Sequence, residues 1–136
     1  MKQSSIVFDA FAILSFLKGE ASSNRVEEYL LKVHGKQATG YISAVNLCEV
    51  YYIVMREKGY EDAEILTASL KDWGLNVVLA DEDMAKMAGQ LKAQYPLSLA
   101  DAFAAATSQK LGACLLTGDP EFQKLEGKME IEWTDD

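Results

Sequence analysis

One histidine, two cysteines and two prolines stand among 136 residues, and each scarcity excludes something. The single histidine, His34, argues against a Ser–His–Asp triad, a zincin motif or a His-rich metal site. It sits beside Gly35 in "LLKVHGKQ", where a position at the C-terminal end of a helix accounts for it. Cys48 and Cys114 share no CxxC spacing and lie in apolar surroundings, which predicts two buried free thiols rather than a disulfide or a metal site. No apolar run approaches the roughly 20 residues that span a bilayer. The opening "MKQSSIVFDAFAILSFLKGE" is interrupted by Asp9 and offers no convincing small-residue cleavage site. It therefore does not read as a signal peptide, and a cytoplasmic protein is expected.

Positive charge is also scarce: 13 Lys and Arg face 21 Asp and Glu, for a net charge of −8. Taken alone, this argues against a nucleic-acid partner. The distribution matters more than the sum. Residues 1–60 balance to +1 and residues 61–136 to −9. A polyanion would have to approach the first half or be held through metal ions.

The chain has the length of one domain, expected over 1–136, and at 49% hydrophobic and 25% charged residues it can build a core. No repeat, linker or low-complexity segment divides it. Short β-rich runs alternate with helical periodicity. "SSIVFD" (4–9) reads as a buried strand and "AFAILSFLKGE" as a helix ending near Gly19. "SNRVEEYLLKVHG" follows as a helix with Asn24 and Glu27 at capping-box spacing. "ATGYIS" (38–43) is a second strand. A long helix from Ser43 to Gly59 comes next, then "EDAEILTASLKDWG" as a further helix. "LNVVLA" (75–80) is a third strand, and "DEDMAKMAGQLKAQY" a helix stopped by Pro96. "SLADAFAAATSQKLG" (98–112) is a helix with Ser98 and Asp101 at capping-box spacing. "ACLLT" (113–117) is a fourth strand and "MEIEW" (129–133) a short fifth. Strands separated by helices predict parallel βαβ units, and so an α/β sheet covered on both faces. Ligands of such sheets bind beyond the carboxyl ends of the strands, where the strand order switches.

Carboxylates gather at those positions. Asp9 ends the first strand, Asp119 in "LLTGDPEF" stands two residues past the fourth, and Asp101 lies in the first turn of the helix between Ser98 and Gly112. Each has a structural reading. Asp9 can cap the helix from Ala10, Asp101 can complete a box with Ser98, and Asp119 can cap a short helix with Pro120 at its first position. Glu49 has no such role. It lies well inside its helix, with Val45, Cys48 and Tyr52 at helical spacing, on or beside the expected buried stripe, where an unpaired charge is costly. Converging carboxylates without nearby histidine or cysteine suit a hard cation held by oxygen, Mg²⁺ or Mn²⁺ rather than zinc. Such an ion can acidify water for phosphoryl chemistry, and it reconciles an acidic pocket with an anionic substrate.

With these residues assembled, the chain resembles the PIN-domain ribonucleases, most closely the VapC-type toxins of bacterial toxin–antitoxin pairs. The likeness rests on "IVFDAFAILSFL", "YISAVNLCEVYYIV" and "LSLADAFAAATSQKLGACLLTGDPEF", in that order. It implies a three-layer α/β/α fold around a mostly parallel sheet of four to five strands. It also implies that Asp9, Glu49, Asp101 and Asp119 are the acidic metal-site residues, with Thr117 of the T-x-D motif orienting a carboxylate or water. Asn46, one turn before Glu49, is either a further orienting residue or an ordinary member of the first helical turn. Ala10 stands where many relatives carry a hydroxyl. The resemblance further implies a Mg²⁺- or Mn²⁺-dependent endoribonuclease leaving a 5′-phosphate and a 3′-hydroxyl, a homodimer, and a small antitoxin partner. An antitoxin that places a basic side chain among the carboxylates would inhibit it.

Three other readings compete. A PIN-like ribonuclease can process RNA without an antitoxin, and a PIN-like scaffold can bind without catalysis, though a scaffold has no need to gather like charges. A dehalogenase-like or receiver-type phosphotransfer domain also places an aspartate after a strand. The first wants D-x-D, and Phe11 occupies the third position here. The second wants an early acidic pair and a late lysine, for which no match is evident.

Overall fold

The run "SSIVF" forms the middle strand of a five-stranded sheet, because Ile6 and Phe8 point to one face, Val7 to the other, and all three are buried. The computed structural model describes residues 4–20 and 23–134. In chain order the elements are β1 (Ser4–Phe8), α1 (Ala10–Lys18), α2 (Ser23–His34), β2 (Ala38–Ser43), α3 (Ala44–Lys58), α4 (Tyr60–Asp72), β3 (Leu75–Val78), α5 (Glu82–Gln94), α6 (Leu99–Leu111), β4 (Cys114–Thr117), a 3₁₀ turn (Pro120–Leu125) and β5 (Ile131–Trp133).

The strand order is β3-β2-β1-β4-β5, and every neighbouring pair is parallel. The mostly parallel sheet expected from the sequence is thus wholly parallel and has five strands. Its two faces are covered separately. Ile6, Phe8, Ile42 and Leu116 pack with α1, α2, α3 and α4 on one side. Val7 and Leu115 pack with α5, α6 and the 3₁₀ turn on the other. The result is the three-layer α/β/α arrangement. Alternation along each strand divides the core in this way, since consecutive residues face opposite layers.

Local signals set most boundaries. Gly19 and Gly112 take the left-handed conformation, at φ 65° and φ 60°, that ends α1 and α6 and that side chains with a Cβ disfavour. Ser43, Asp81 and Ser98 cap α3, α5 and α6. His34 is the last residue of α2, as its neighbour Gly35 suggested. Among the described residues no helix is long and apolar enough to cross a membrane.

Four expectations are corrected. β3 stops at Val78 rather than residue 80, because its only partner, β2, ends at Ser43, the residue paired with Val78. Leu79 is left exposed. The fifth strand covers 131–133 rather than 129–133. Asn24 does not cap α2, which already begins at Ser23. Neither thiol is buried: Cys48 is exposed and Cys114 half-buried, though both are free as expected. Cys48 is exposed because the buried line of α3 is Asn46, Val50 and Val54, at i, i+4 and i+8. The line through Val45, Cys48 and Tyr52 therefore lies towards solvent.

Candidate active site

β1 and β4 are adjacent, yet β1 leads to β2 on its other side; the strand order switches between them. Asp9 leaves β1 and Asp119 follows β4 at the carboxyl ends of these two strands, where such folds hold their ligands. Asp9 is only 1% exposed. It caps α1, its Oδ1 accepting the Ala12 N–H at 2.8 Å, while its Oδ2 accepts the Thr117 hydroxyl. Thr117 Oγ1 in turn accepts the Asp119 N–H at 3.0 Å. One buried hydroxyl at the end of β4 thereby links the two aspartates.

Asp119 also caps the 3₁₀ turn, accepting the Glu121 N–H at 3.0 Å, with Pro120 in the first position. Asp101 is set in the first turn of α6, where its own N–H is accepted by Ser98 Oγ at 3.2 Å. The capping readings and the converging-acid reading are therefore not alternatives. The backbone geometry that makes Asp9 and Asp119 caps, and that sets Asp101 in the Ser98-capped first turn of α6, also delivers all three to the rim. Carboxylate oxygens of Asp101, Asp119 and Glu121 lie within 4.8 Å of one another. Asp101 Oδ2 is buried and, among the described residues, accepts no hydrogen bond; only a proton shared with the Asp119 carboxylate can partner the Asp101 carboxyl.

Electrostatics join Asp9 and Glu49 to this group. Burial pushes the Asp9 carboxyl up to about 7 despite the hydrogen bonds from Thr117 and Ala12, and the charges of Asp119 and Glu49 add to the rise. Asp101 is raised to about 8, first by burial and then by Asp119 and Asp9. Glu49 is raised by partial burial and by Asp119. Among the described residues, the charges acting on these three groups are all negative, so the cluster there is short of a cation.

The structure thus brings Asp9, Asp101, Asp119 and Thr117 into one network, with Glu49 on its half-buried margin rather than in the core. Two participants were undervalued in the sequence. Glu121 stands there only inside the block "LLTGDPEF"; the short helix expected to start at Asp119 was the signal that would have placed it beside that residue. Asn46 is 2% exposed and bonded on both sides, so it is no ordinary first-turn residue.

Gly118 separates Thr117 from Asp119, and its φ is not positive; its constraint is space. A Cβ there would lie 2.4 Å from both Phe11 Cε1 and the buried Thr134 Oγ1. Gly118→Ala is expected to destabilise the fold by about 1–3 kcal/mol by overpacking. Thermal denaturation checks this; an unchanged melting temperature would contradict it.

A set of carboxylates with one buried, unpartnered oxygen, and no cation among the described residues acting on it, fits a hard divalent ion held by oxygen ligands. Several known proteins resemble the chain in sequence or shape. Ribonuclease VapC42 of Mycobacterium tuberculosis is 26% identical over 125 residues, which cover 86% of this chain and 92% of that protein. VapBC from Salmonella typhimurium, solved bound to DNA, includes a chain of similar fold, with TM-score 0.74 and 20% identity, covering 96% of this chain and 98% of that one. Mycobacterium tuberculosis VapC20, described as a toxin that cleaves the sarcin–ricin loop, aligns with TM-score 0.69 and 19% identity over 88% of this chain and 93% of that one. The PIN domain model matches residues 6–128, nearly the whole chain, and the chain belongs to the PIN domain family.

Proposed function

We propose that this chain acts as a single-domain, metal-dependent endoribonuclease, the toxin of a toxin–antitoxin pair working in the cytoplasm. The observation that carries the reading is the buried, unpartnered Asp101 Oδ2 within a cluster of carboxylates that, among the described residues, feel only one another's charge. Asp9, Asp101, Asp119 and Glu49 would hold Mg²⁺ or Mn²⁺, with Glu121 in reach of Asp101 and Asp119. When bound, the ion supplies a more acidic water and charge neutralisation for an RNA phosphodiester.

The chain's own residues prepare for this. Thr117 fixes the rotamer of Asp9 and the position of the Asp119 backbone with a single hydroxyl. Asp101 and Asp9, both raised, can hold protons in the absence of a cation and release them when one enters. Attack of water on phosphorus forms the new P–O bond and breaks the P–O3′ bond. The 3′-oxygen takes up a proton and leaves as the 3′-hydroxyl, the water gives up its proton to solvent, and the phosphate stays on the 5′-oxygen of the downstream fragment.

A partner is supported by the neighbours of known structure, which include VapBC complexes. A groove of about 570 Å³ between α1, α3 and α4, lined by Leu14, Leu17, Val54, Ile65 and Leu66, would suit an apolar antitoxin segment. Lys18 and Lys58 lie on the same groove together with Glu57 and Asp62, so its charged rim is balanced. We further propose a homodimer, as the resemblance implies.

Cleavage of total cellular RNA with Mg²⁺ or Mn²⁺, against the same reaction in chelator, tests the activity. Asp119→Asn supplies the control, because asparagine caps a helical turn as well as aspartate does and the fold should stand. Cleavage is expected to fall by roughly 100-fold or more with unchanged circular dichroism. Cleavage that persists in the variant or in chelator would refute the reading.

A further inference from the structure

Asn46 lies outside the acidic set, yet it touches the elements that carry three of its members. It projects from the first turn of α3 and is 2% exposed. Its Oδ1 accepts the Ala10 N–H at 3.1 Å. Its Nδ2 donates to the Ala100 carbonyl at 2.9 Å. Ala10 directly follows Asp9, and Ala100 directly precedes Asp101. The amide therefore grips the backbone one residue from each of the two most strongly perturbed aspartates, and Glu49 stands three residues further along α3.

Only an amide in one orientation satisfies this bridge. The Ala10 N–H needs an acceptor and the Ala100 carbonyl needs a donor. A carboxylate lacks the donor, and an ionised lysine lacks the acceptor. A short hydroxyl can serve one partner but does not span both. The bridge joins residues 36 and 54 positions away in sequence, so it fixes tertiary geometry rather than local helix structure. It also resists the repulsion that acts between Asp9 and Asp101.

We infer that Asn46 is a positioning residue that clamps the first turns of α1 and α6 together and so sets the spacing of the Asp9 and Asp101 carboxylates for a divalent ion. The inference rests on the metal-dependent reading above. It acts through backbone placement, and Asn46 itself contacts neither ion nor substrate. Groups that orient ligands without binding the ion typically change metal affinity by about 10–100-fold when removed.

The test is titration calorimetry of Mn²⁺ into the full-length wild-type protein and into Asn46→Ala, Asn46→Ser and Val33→Ala. The last removes buried side-chain volume from the core on the α1–α4 side and controls for simple loss of stability. Asn46→Ala is expected to raise the Mn²⁺ Kd about tenfold or more. In RNA cleavage the same variant should need correspondingly more Mn²⁺ for half-saturation, with turnover largely restored at saturating Mn²⁺. Val33→Ala should bind as the wild type does. If Asn46→Ala does not fold, Asn46→Ser decides: a rise of threefold or more supports the clamp, and a smaller one overturns it. Folded Asn46→Ala with Kd within threefold of wild type, or Val33→Ala weakened as much as the Asn46 variants, also overturns it. Wild-type protein that binds no Mn²⁺ would bring down the cation-site reading itself, and the clamp with it.

Discussion

Asp9→Asn is expected to abolish Mn²⁺ binding, to lower RNA cleavage by roughly 100-fold or more, and to raise the melting temperature of the metal-free protein at pH 8. These opposite effects have one origin. Asp9 is 1% exposed, and its carboxyl is raised to about 7 because burial disfavours the charge and Asp119 and Glu49 repel it. At pH 8 the wild-type protein must carry that charge without a counter-ion. The amide has almost the same shape. It still accepts the Ala12 N–H through Oδ1, and its Nδ2 can donate to the Thr117 hydroxyl, which has lone pairs for it as well as for the Asp119 N–H. What is lost is the negative charge, which opposes folding and attracts a cation, together with the acceptor of the buried Thr117 O–H, which offsets part of the gain. Calorimetry with Mn²⁺ and thermal denaturation in chelator check both halves. A variant that melts lower than wild type at pH 8 and still binds Mn²⁺ would show that Asp9 serves only as the cap of α1.

The second large effect is on pH dependence. Asp9 and Asp101 are raised to about 7 and about 8, and Glu49 is raised as well, all above what an unfolded chain would show. Between the unfolded and folded values the native state binds more protons than the unfolded one, so stability falls as pH rises. The contribution is complete below about pH 4, where both states are protonated, and is lost through pH 7 to 8. Each tenfold change in a carboxyl's proton affinity on folding is worth about 1.4 kcal/mol. In chelator, the melting temperature is expected to fall by roughly 5 °C or more between pH 5.5 and pH 8.5. Millimolar Mn²⁺ should remove most of this fall, because it binds the ionised native site and not the unfolded chain. Asp9→Asn should flatten the slope in chelator. A metal-free protein that becomes more stable towards pH 8.5 would contradict the assignment of these groups as an uncompensated cluster.

Much of this was legible in the chain. Apolar runs of strand length, alternating with helices bounded by Ser43, Gly59, Ser98 and Gly112, predicted the order of elements and the parallel sheet. That sheet in turn placed Asp9 and Asp119 at one rim. The parts that were not legible depend on partners distant in sequence. The end of β3 follows from where β2 stops. The exposure of Cys48 depends on which line of α3 meets the sheet, and its apolar neighbours at helical spacing do not decide between two adjacent lines. The bridge made by Asn46 spans backbone groups 36 and 54 residues away, for which no local pattern exists. Glu121 was hidden for another reason. Its position follows from a capping bond, in which Asp119 Oδ1 accepts the Glu121 N–H and holds the two residues together, and no helical or strand periodicity pairs positions two apart in that way.

Diffraction from crystals soaked in Mn²⁺, with the anomalous signal recorded at the manganese edge, addresses the central claim most directly. A peak is expected bounded by Asp9, Asp101 and Asp119 at the carboxyl ends of β1 and β4, with oxygen ligands near the distances of a hard cation and Asp101 Oδ2 among them. No peak at that rim under saturating Mn²⁺, or a peak only among acids elsewhere on the surface, would contradict it.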